Sequence, residues 1–338
     1  MTDGSLVEVR DLQVTFVTED GLLRAVDGVS FDLRAGEVLA IVGESGSGKS
    51  VTAQTIMGLT RTPNARISGR IDYGGRDLVA ATEEGLMSIR GKEIAMIFQD
   101  PMTSLNPVYR VGWQIDEQLR AHEGLSAKQA RRRTLELLGA VGIPNPEARI
   151  DDYPHQFSGG MRQRVMIAMG LSCNPDVLIA DEPTTALDVT IQAQILELIG
   201  NLQREFDSAV VLITHDLGVV AEVADRVAVM YAGRIVEYAA VGELFRGPQH
   251  PYTWGLLGSI SRLDRPRQRR LAAISGQPPS LISLPAGCSF RPRCPYAFDR
   301  CRAERPALEA RAGSGHLDAC LLSPYQKQAR RAATPEAS

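Results

Sequence analysis

Gly43-Glu44-Ser45-Gly46-Ser47-Gly48-Lys49-Ser50 has the form G-x-x-x-x-G-K-[ST], a spacing that cradles phosphate when a strand precedes it and a helix follows. Val38 to Val42, just before it, is an apolar run that reads as a buried strand. Val51 to Leu59, just after it, reads as the start of a helix. The glycines let the backbone curl until several N–H groups point into one concavity. The positive end of the following helix adds to the pull on an anion. Lys49 is then placed for the β- and γ-phosphates of a nucleotide, and the Ser50 hydroxyl for Mg²⁺.

Upstream, residues 6 to 37 read as antiparallel β structure. Leu6 to Val9 and Leu12 to Val17 alternate in the strand manner, Glu19-Asp20-Gly21 turns the chain, and Ala25 to Asp32 resumes. Phe16 is the aromatic of the second strand and suits either stacking on a base or a place in the core. Downstream, Ile94 to Phe98 is a short apolar strand with Gln99 just past its end, where parallel α/β sheets bind ligands. From Asp100 to about Pro154 the pattern turns helical, with Leu119, Leu135, Leu137, Leu138 and Val141 among charges. This is expected to be a small helical subdomain, about 100–172, inserted into the α/β core. Arg131-Arg132-Arg133 reads as its solvated face, and Pro144 and Pro146 as its terminators.

Ser158-Gly159-Gly160-Met161 opens the next helix. Ser158 is a good N-cap, and two bare glycines leave the first-turn amides open to a second anion. Asp176 to Glu182 is a buried strand ending in paired carboxylates. Asp181 suits Mg²⁺, and Glu182, one residue on, suits general-base activation of water. Asp188 follows in Ala186-Leu187-Asp188. Ala209 to Thr214 is another buried strand, with His215 at its end. Arg226–Met230 and Arg234–Tyr238 flank Tyr231-Ala232-Gly233 as a hairpin.

The 338 residues are 44% hydrophobic and carry a net charge of −3, which gives no reason to expect a nucleic-acid partner. No run approaches the roughly 18–20 apolar residues of a bilayer span, and Met1 to Ser5 shows no secretory signal. A cytosolic chain, or one peripheral to a membrane on its cytosolic side, is expected. No repeat of solenoid or propeller period is visible. Cys288, Cys294, Cys301 and Cys320 crowd a tail rich in Pro, Gly and Arg. Four such thiolates suit Zn²⁺ or an Fe–S cluster, with free or disulfide cysteines as the third reading. His316 is a weaker substitute ligand, and Cys173 reads as a small buried hydrophobe.

In order and spacing, the phosphate loop, Gln99, Ser158-Gly159-Gly160, Asp181-Glu182, Asp188 and His215 resemble ABC transporter ATPase subunits over roughly residues 5 to 325. Gly43 to Thr52, Gln99-Asp100-Pro101-Met102-Thr103-Ser104-Leu105-Asn106-Pro107, His250-Pro251-Tyr252-Thr253 and the cysteine-rich tail resemble one branch, the ATP-binding subunits of dipeptide and oligopeptide importers. The resemblance implies a P-loop ABC ATPase core (1–262) with an antiparallel β subdomain and the helical insert, then a C-terminal extension (263–338) carrying a [4Fe–4S] cluster on the four cysteines. It implies that Phe16 stacks on adenine and that Gly43, Glu44, Ser45, Gly46, Ser47, Gly48, Lys49, Ser50 and Val51 bind ATP. Ser50, Gln99 and Asp181 would serve Mg²⁺, Glu182 would polarise water, and His215 would contact the γ-phosphate. Ser158 to Met161 would complete the site of a second ATPase subunit, with Asp188 in the loop between the two. Met161 stands where the wider family most often has Gln. Further implied partners are two membrane permeases, docking near Asp100–Trp113, and an extracytoplasmic binding protein. Nickel chelates, glutathione or oligosaccharides are the rival cargoes. A soluble ABC ATPase working on ribosomes or DNA is the rival class, but such chains usually carry two cassettes or a coiled-coil insertion, and this one has neither.

Overall fold

The computed structural model describes residues 4–100, 104–184, 189–259, 274–310 and 315–333. The chain divides into two compact units. One comprises Met1–Leu6, Leu33–Val38 and Ala80–Ile213, the other Val7–Asp32, Leu39–Val79 and Thr214–Ser338.

In the first unit, β6 (Ile94–Ile97), β7 (Val177–Asp181) and β8 (Ala209–Thr214) lie side by side and parallel, with Ile94 opposite Val177 and Asp181 opposite Ile213. Every residue of the three is buried, which is why they read as continuous apolar runs rather than alternating ones. The expected helical part is present as α3 (Val111–Glu123), α4 (Ala127–Ala140), α5 (Pro146–Arg149) and α6 (Gly159–Leu171). Ala130, Thr134, Leu137 and Leu138 form the buried stripe of α4, at the 4-3-1 spacing that puts side chains on one helix face. A reciprocal cap of Ser126 and Gln129 starts that helix. Arg131 bonds Asp151 at 2.7 Å, and Arg132 and Arg133 reach Glu136, so the arginine run is occupied by local carboxylates. One expectation is corrected here. Pro146 begins α5 instead of ending a helix, because the first helical position needs no N–H. α2 (Glu83–Ile89) and α7 (Val189–Phe206) belong to the same unit.

The second unit holds an antiparallel sheet in the order β2-β1-β4-β5, from β1 (Ser5–Thr18), β2 (Gly21–Arg34), β4 (Ala65–Tyr73) and β5 (Arg76–Asp77). The sequence suggests two strands before residue 18, but the structure has one. Val7, Val9, Leu12 and Val14 are all buried, and the odd step from 9 to 12 would flip the second pair outward in a regular strand. A bulge absorbs it: the register slips between Arg10 and Gln13, and Asp11 takes φ 44°. Gly69 faces the bulge, where a Cβ would come 2.4 Å from the Asp11 carbonyl.

The unit's other sheet runs from β3 (Val38–Val42), parallel to β9 (Arg226–Tyr231), through β10 (Arg234–Ala240) to β12 (Leu317–Asp318) and β11 (Glu309–Ala310). Ala232 and Gly233 both take positive φ at the β9–β10 turn, which matches the right-handed twist of a hairpin. The tail thus adds strands to β10. It is fastened by a buried pair, Lys327 Nζ to Asp318 Oδ1 at 2.6 Å, in which neither side chain is more than 1% exposed. α1 (Lys49–Ile56), α8 (Leu217–Val223), α9 (Val241–Arg246), α10 (Pro251–Gly258), α11 (Arg300–Ala303) and α12 (Pro324–Ala333) complete the unit. Among the described residues no helix is long and apolar enough to cross a membrane.

Candidate functional site

The phosphate loop lies between β3 and α1 as the sequence demands, with α1 opening at Lys49, two residues earlier than expected. Glycine is obligatory at two of its turns. At Gly43 (φ 153°) a Cβ would sit 2.2 Å from the Met230 carbonyl, and at Gly48 (φ 103°) 2.4 Å from that of Ala25. The loop is pressed against its neighbours there, while Ser45 and Gly46 stay exposed. Lys49, 4% exposed, donates from Nζ to the carbonyls of Gly43 (2.8 Å) and Glu44 (3.1 Å). Its ammonium is therefore held over the loop, where an anion would be received. Ser47 Oγ is buried with no hydrogen-bond partner among the described residues, a polar atom still open to one. Ser50 and Val51 are half-buried in the first turn of α1, and Phe16 is half-buried on β1 opposite Ala65.

In the first unit, the parallel register sets Gln99 and Asp181–Glu182 at the same ends of adjacent strands. Asp181 is 3% exposed as the last residue of β7. Glu182 leaves the strand at φ 46° while its N–H donates to the Ile213 carbonyl at 2.9 Å. A left-handed backbone is unusual for Glu and persists only where the surroundings hold it. The turn delivers the carboxylate to Gln99, whose Nε2 donates to Glu182 Oε2 at 3.0 Å. A carboxylate and a carboxamide so joined can accept from and donate to one water. His215 is exposed just beyond β8, two residues after Ile213, the partner of Asp181. Ser158 caps α6 as expected, accepting from the Met161 N–H at 3.4 Å. Ser158 and Gly159 are exposed, with open space where a Gly159 Cβ would stand. Asp188, Pro101, Met102 and Thr103 lie outside the described residues, as does the basic stretch Arg265–Arg270.

The segment after Gln99 carries an apolar surface. Val108 (70%), Tyr109 (44%) and Trp113 (44%) are exposed, and the two rings stack at 4.2 Å.

The tail corrects two expectations. His316 is no cysteine-site ligand: its Nε2 lies 2.7 Å from Glu237 Oε1, and that buried carboxylate also accepts from the Gln249 and His250 amides. Neither a zinc ion nor an Fe–S cluster on the four cysteines is supported by a ligand arrangement here. Among the described residues no three His, Cys, Asp or Glu side chains are arranged to hold a metal ion, whereas Zn²⁺ needs four ligands roughly 2.0–2.3 Å away. The five cysteines form no disulfides. Cys288, Cys294, Cys301 and Cys320 nonetheless line one cavity of about 20 Å³, together with Phe290, Tyr296 and Leu322. Burial pushes the Cys288 thiol up, Cys294 to about 11 and Cys320 to about 12. Cys173 is buried, with its thiol likewise pushed up by burial.

Two contacts to the phosphate loop have no local signal in the sequence. Arg293 forks onto the Glu44 carboxylate at 2.5 and 2.9 Å, and the Tyr252 hydroxyl accepts from the Glu44 N–H at 2.8 Å.

Comparison with known proteins fits this geometry. The ABC transporter family model matches residues 26–185, and that of the oligopeptide/dipeptide transporter C-terminal region matches 236–301. The chain is 54% identical over 320 residues to the oligopeptide transport ATP-binding protein OppD of Bacillus subtilis, covering 94% of this chain and 89% of that one. It is 55% identical to the dipeptide transport ATP-binding protein DppD of the same organism, covering 94% of each. A solved dimeric ATP-binding cassette bound to ADP and phosphate superposes with TM-score 0.63 at 27% identity, over 70% of this chain and 98% of that one. The chain belongs to the ABC transporter ATP-binding family, in the branch of the oligopeptide and dipeptide transport ATP-binding proteins.

Proposed function

We propose that this chain is the ATP-hydrolysing subunit of an importer that carries di- and oligopeptides across the cytoplasmic membrane, bound to that membrane's inner face. The observation that carries the reading is the Glu182 carboxylate, set past a buried strand in a left-handed turn and bonded to Gln99. In this role Gly43 to Val51 hold the phosphates, Lys49 offsets their charge, and Phe16 stacks on adenine. Mg²⁺ neutralises charge on the phosphates, with Ser50, Gln99 and Asp181 as its holders. Glu182 takes the proton of the attacking water, and His215 steadies the γ-phosphate. Ser158 to Met161 act on the ATP of a second ATPase subunit, which the exposure of Ser158 and Gly159 supports, and Asp188 is assigned to the loop between the two. The ATPase domain is taken as residues 1–262, with 263–338 as its extension.

Two permease subunits and an extracytoplasmic binding protein complete the assembly. The stacked, exposed Tyr109 and Trp113 support a permease docking surface there, since exposed apolar patches mark contact sites. The relatives' transport of peptides supports peptide over nickel chelates, glutathione or oligosaccharides. Uptake of labelled peptide into vesicles bearing the whole complex, dependent on internal ATP, tests the reading; ATP hydrolysis with no peptide uptake would count against it.

A [4Fe–4S] cluster on Cys288, Cys294, Cys301 and Cys320 is part of the proposal. What supports this reading is that all four cysteines line one cavity, since such clusters take all-cysteine ligation. The cluster would supply cross-links that fold the tail, and the buried thiols must lose their protons to bind it. Metal analysis of the anaerobically purified protein should find about four irons per chain; one zinc or no metal would remove the cluster.

A further inference from the structure

Glu44 is the only acidic residue of the loop from Gly43 to Ser50. A carboxylate in a loop built to receive phosphate repels the ligand unless a cation holds it. The cation comes from 249 residues along the chain. Arg293 grips both carboxylate oxygens, at 2.5 and 2.9 Å, and its side chain is only 4% exposed. The same guanidinium donates to the carbonyls of Ser275 (3.0 Å) and Ile274 (3.2 Å), which leaves it little freedom to swing away. The Tyr252 hydroxyl takes the Glu44 N–H, and Tyr252, Tyr231 and Phe290 pack ring to ring beside it, with centroids 4.7 to 5.4 Å apart. Phe290 also lines the cysteine cavity, so one side chain joins that cavity to the group that orders the loop.

We propose that Arg293, carried by the C-terminal segment, is a positioning residue of the ATP site: it neutralises Glu44 and fixes the loop in its phosphate-receiving shape. The inference rests on reading the loop as that site. Without Arg293, the Glu44 charge faces the incoming triphosphate uncompensated, and the loop loses its outer anchor. The tail therefore sets nucleotide affinity rather than serving only as an appendage. A fork onto both carboxylate oxygens is specific to arginine, because a lysine ammonium is a single point charge.

The test is MgATP affinity of the full-length chain, read by titration calorimetry beside its melting temperature without nucleotide. Arg293→Ala should weaken MgATP binding by about 5- to 150-fold, the usual size of coupling between linked sites. Arg293→Ala combined with Glu44→Gln should recover most of that loss, because the repelling charge is gone. A purely structural arginine predicts the reverse: lower melting for both variants and no recovery of affinity. That result, or wild-type affinity in Arg293→Ala, overturns the proposal. Should the alanine variant not fold, Arg293→Lys replaces it; a smaller loss, again relieved by Glu44→Gln, is expected, and no loss overturns it. If the wild-type chain itself fails to bind MgATP, the reading of the loop falls, and this inference falls with it.

Discussion

Lys327→Met removes the charge that faces Asp318 and keeps nearly the same side-chain volume. The pair is 2.6 Å apart, with the carboxylate fully buried and the lysine 1% exposed. At an effective dielectric of about 20 such a pair attracts by about 6 kcal/mol, most of it offset by the desolvation of two ions. Removing one partner leaves that desolvation uncompensated, and about 3–5 kcal/mol of stability should be lost. Asp318→Asn combined with Lys327→Met should recover most of it, since Asn still accepts from the Cys320 N–H that Asp318 Oδ1 now holds at 3.0 Å. The sign of the pH dependence follows from burial, which raises the Asp318 carboxyl above its ordinary 3.8 even with the lysine present. In Lys327→Met the folded state binds that proton more readily than the unfolded state. The deficit is then small below about pH 4 and grows as pH rises through the raised folded value. Urea unfolding at pH 4 and 7 measures this through the midpoint at constant slope. A single variant within about 1 kcal/mol of wild type at pH 7, or a double variant worse than the single, would refute the reasoning.

Two further outcomes follow from exposed surfaces. Ser158→Arg places a long cation at the open mouth of α6; paired with a wild-type partner ATPase, it should impair hydrolysis at the site on the partner's phosphate loop, and unchanged activity of the pair would contradict the two-subunit site. Tyr109→Ala with Trp113→Ala should abolish peptide uptake while leaving basal ATP hydrolysis within about two-fold, because these rings lie outside the residues assigned to ATP; loss of MgATP binding instead would move them into the nucleotide site.

What the sequence shows plainly is what local physics dictates. The phosphate loop is legible because Gly43 and Gly48 stand where no side chain fits. The Ser158 cap is legible because one residue type satisfies one local geometry, and the turn after β9 because Gly233 takes positive φ without strain. The buried strands β6 to β8 announce themselves as apolar runs. The bulge at Asp11 is hidden in a step of three between buried residues, readable only once both halves are known to face inward. Arg293 is invisible in sequence because its partner is 249 residues away and an arginine in an Arg-rich tail gives no sign of its carboxylate. His316 misleads for the same reason: its closeness to Cys320 along the chain suggests a shared ligand site, but β12 pairing with β10 directs it to Glu237.

The central claim is that Glu182 activates the water that attacks ATP. Glu182→Gln keeps the size of the side chain and its reach to Gln99 but removes the base. In the assembled transporter this variant should still bind MgATP and hold the two ATPase subunits together around it. Steady-state hydrolysis should fall by roughly 10²- to 10⁴-fold, the usual worth of a general base. Turnover near the wild-type rate would contradict the account.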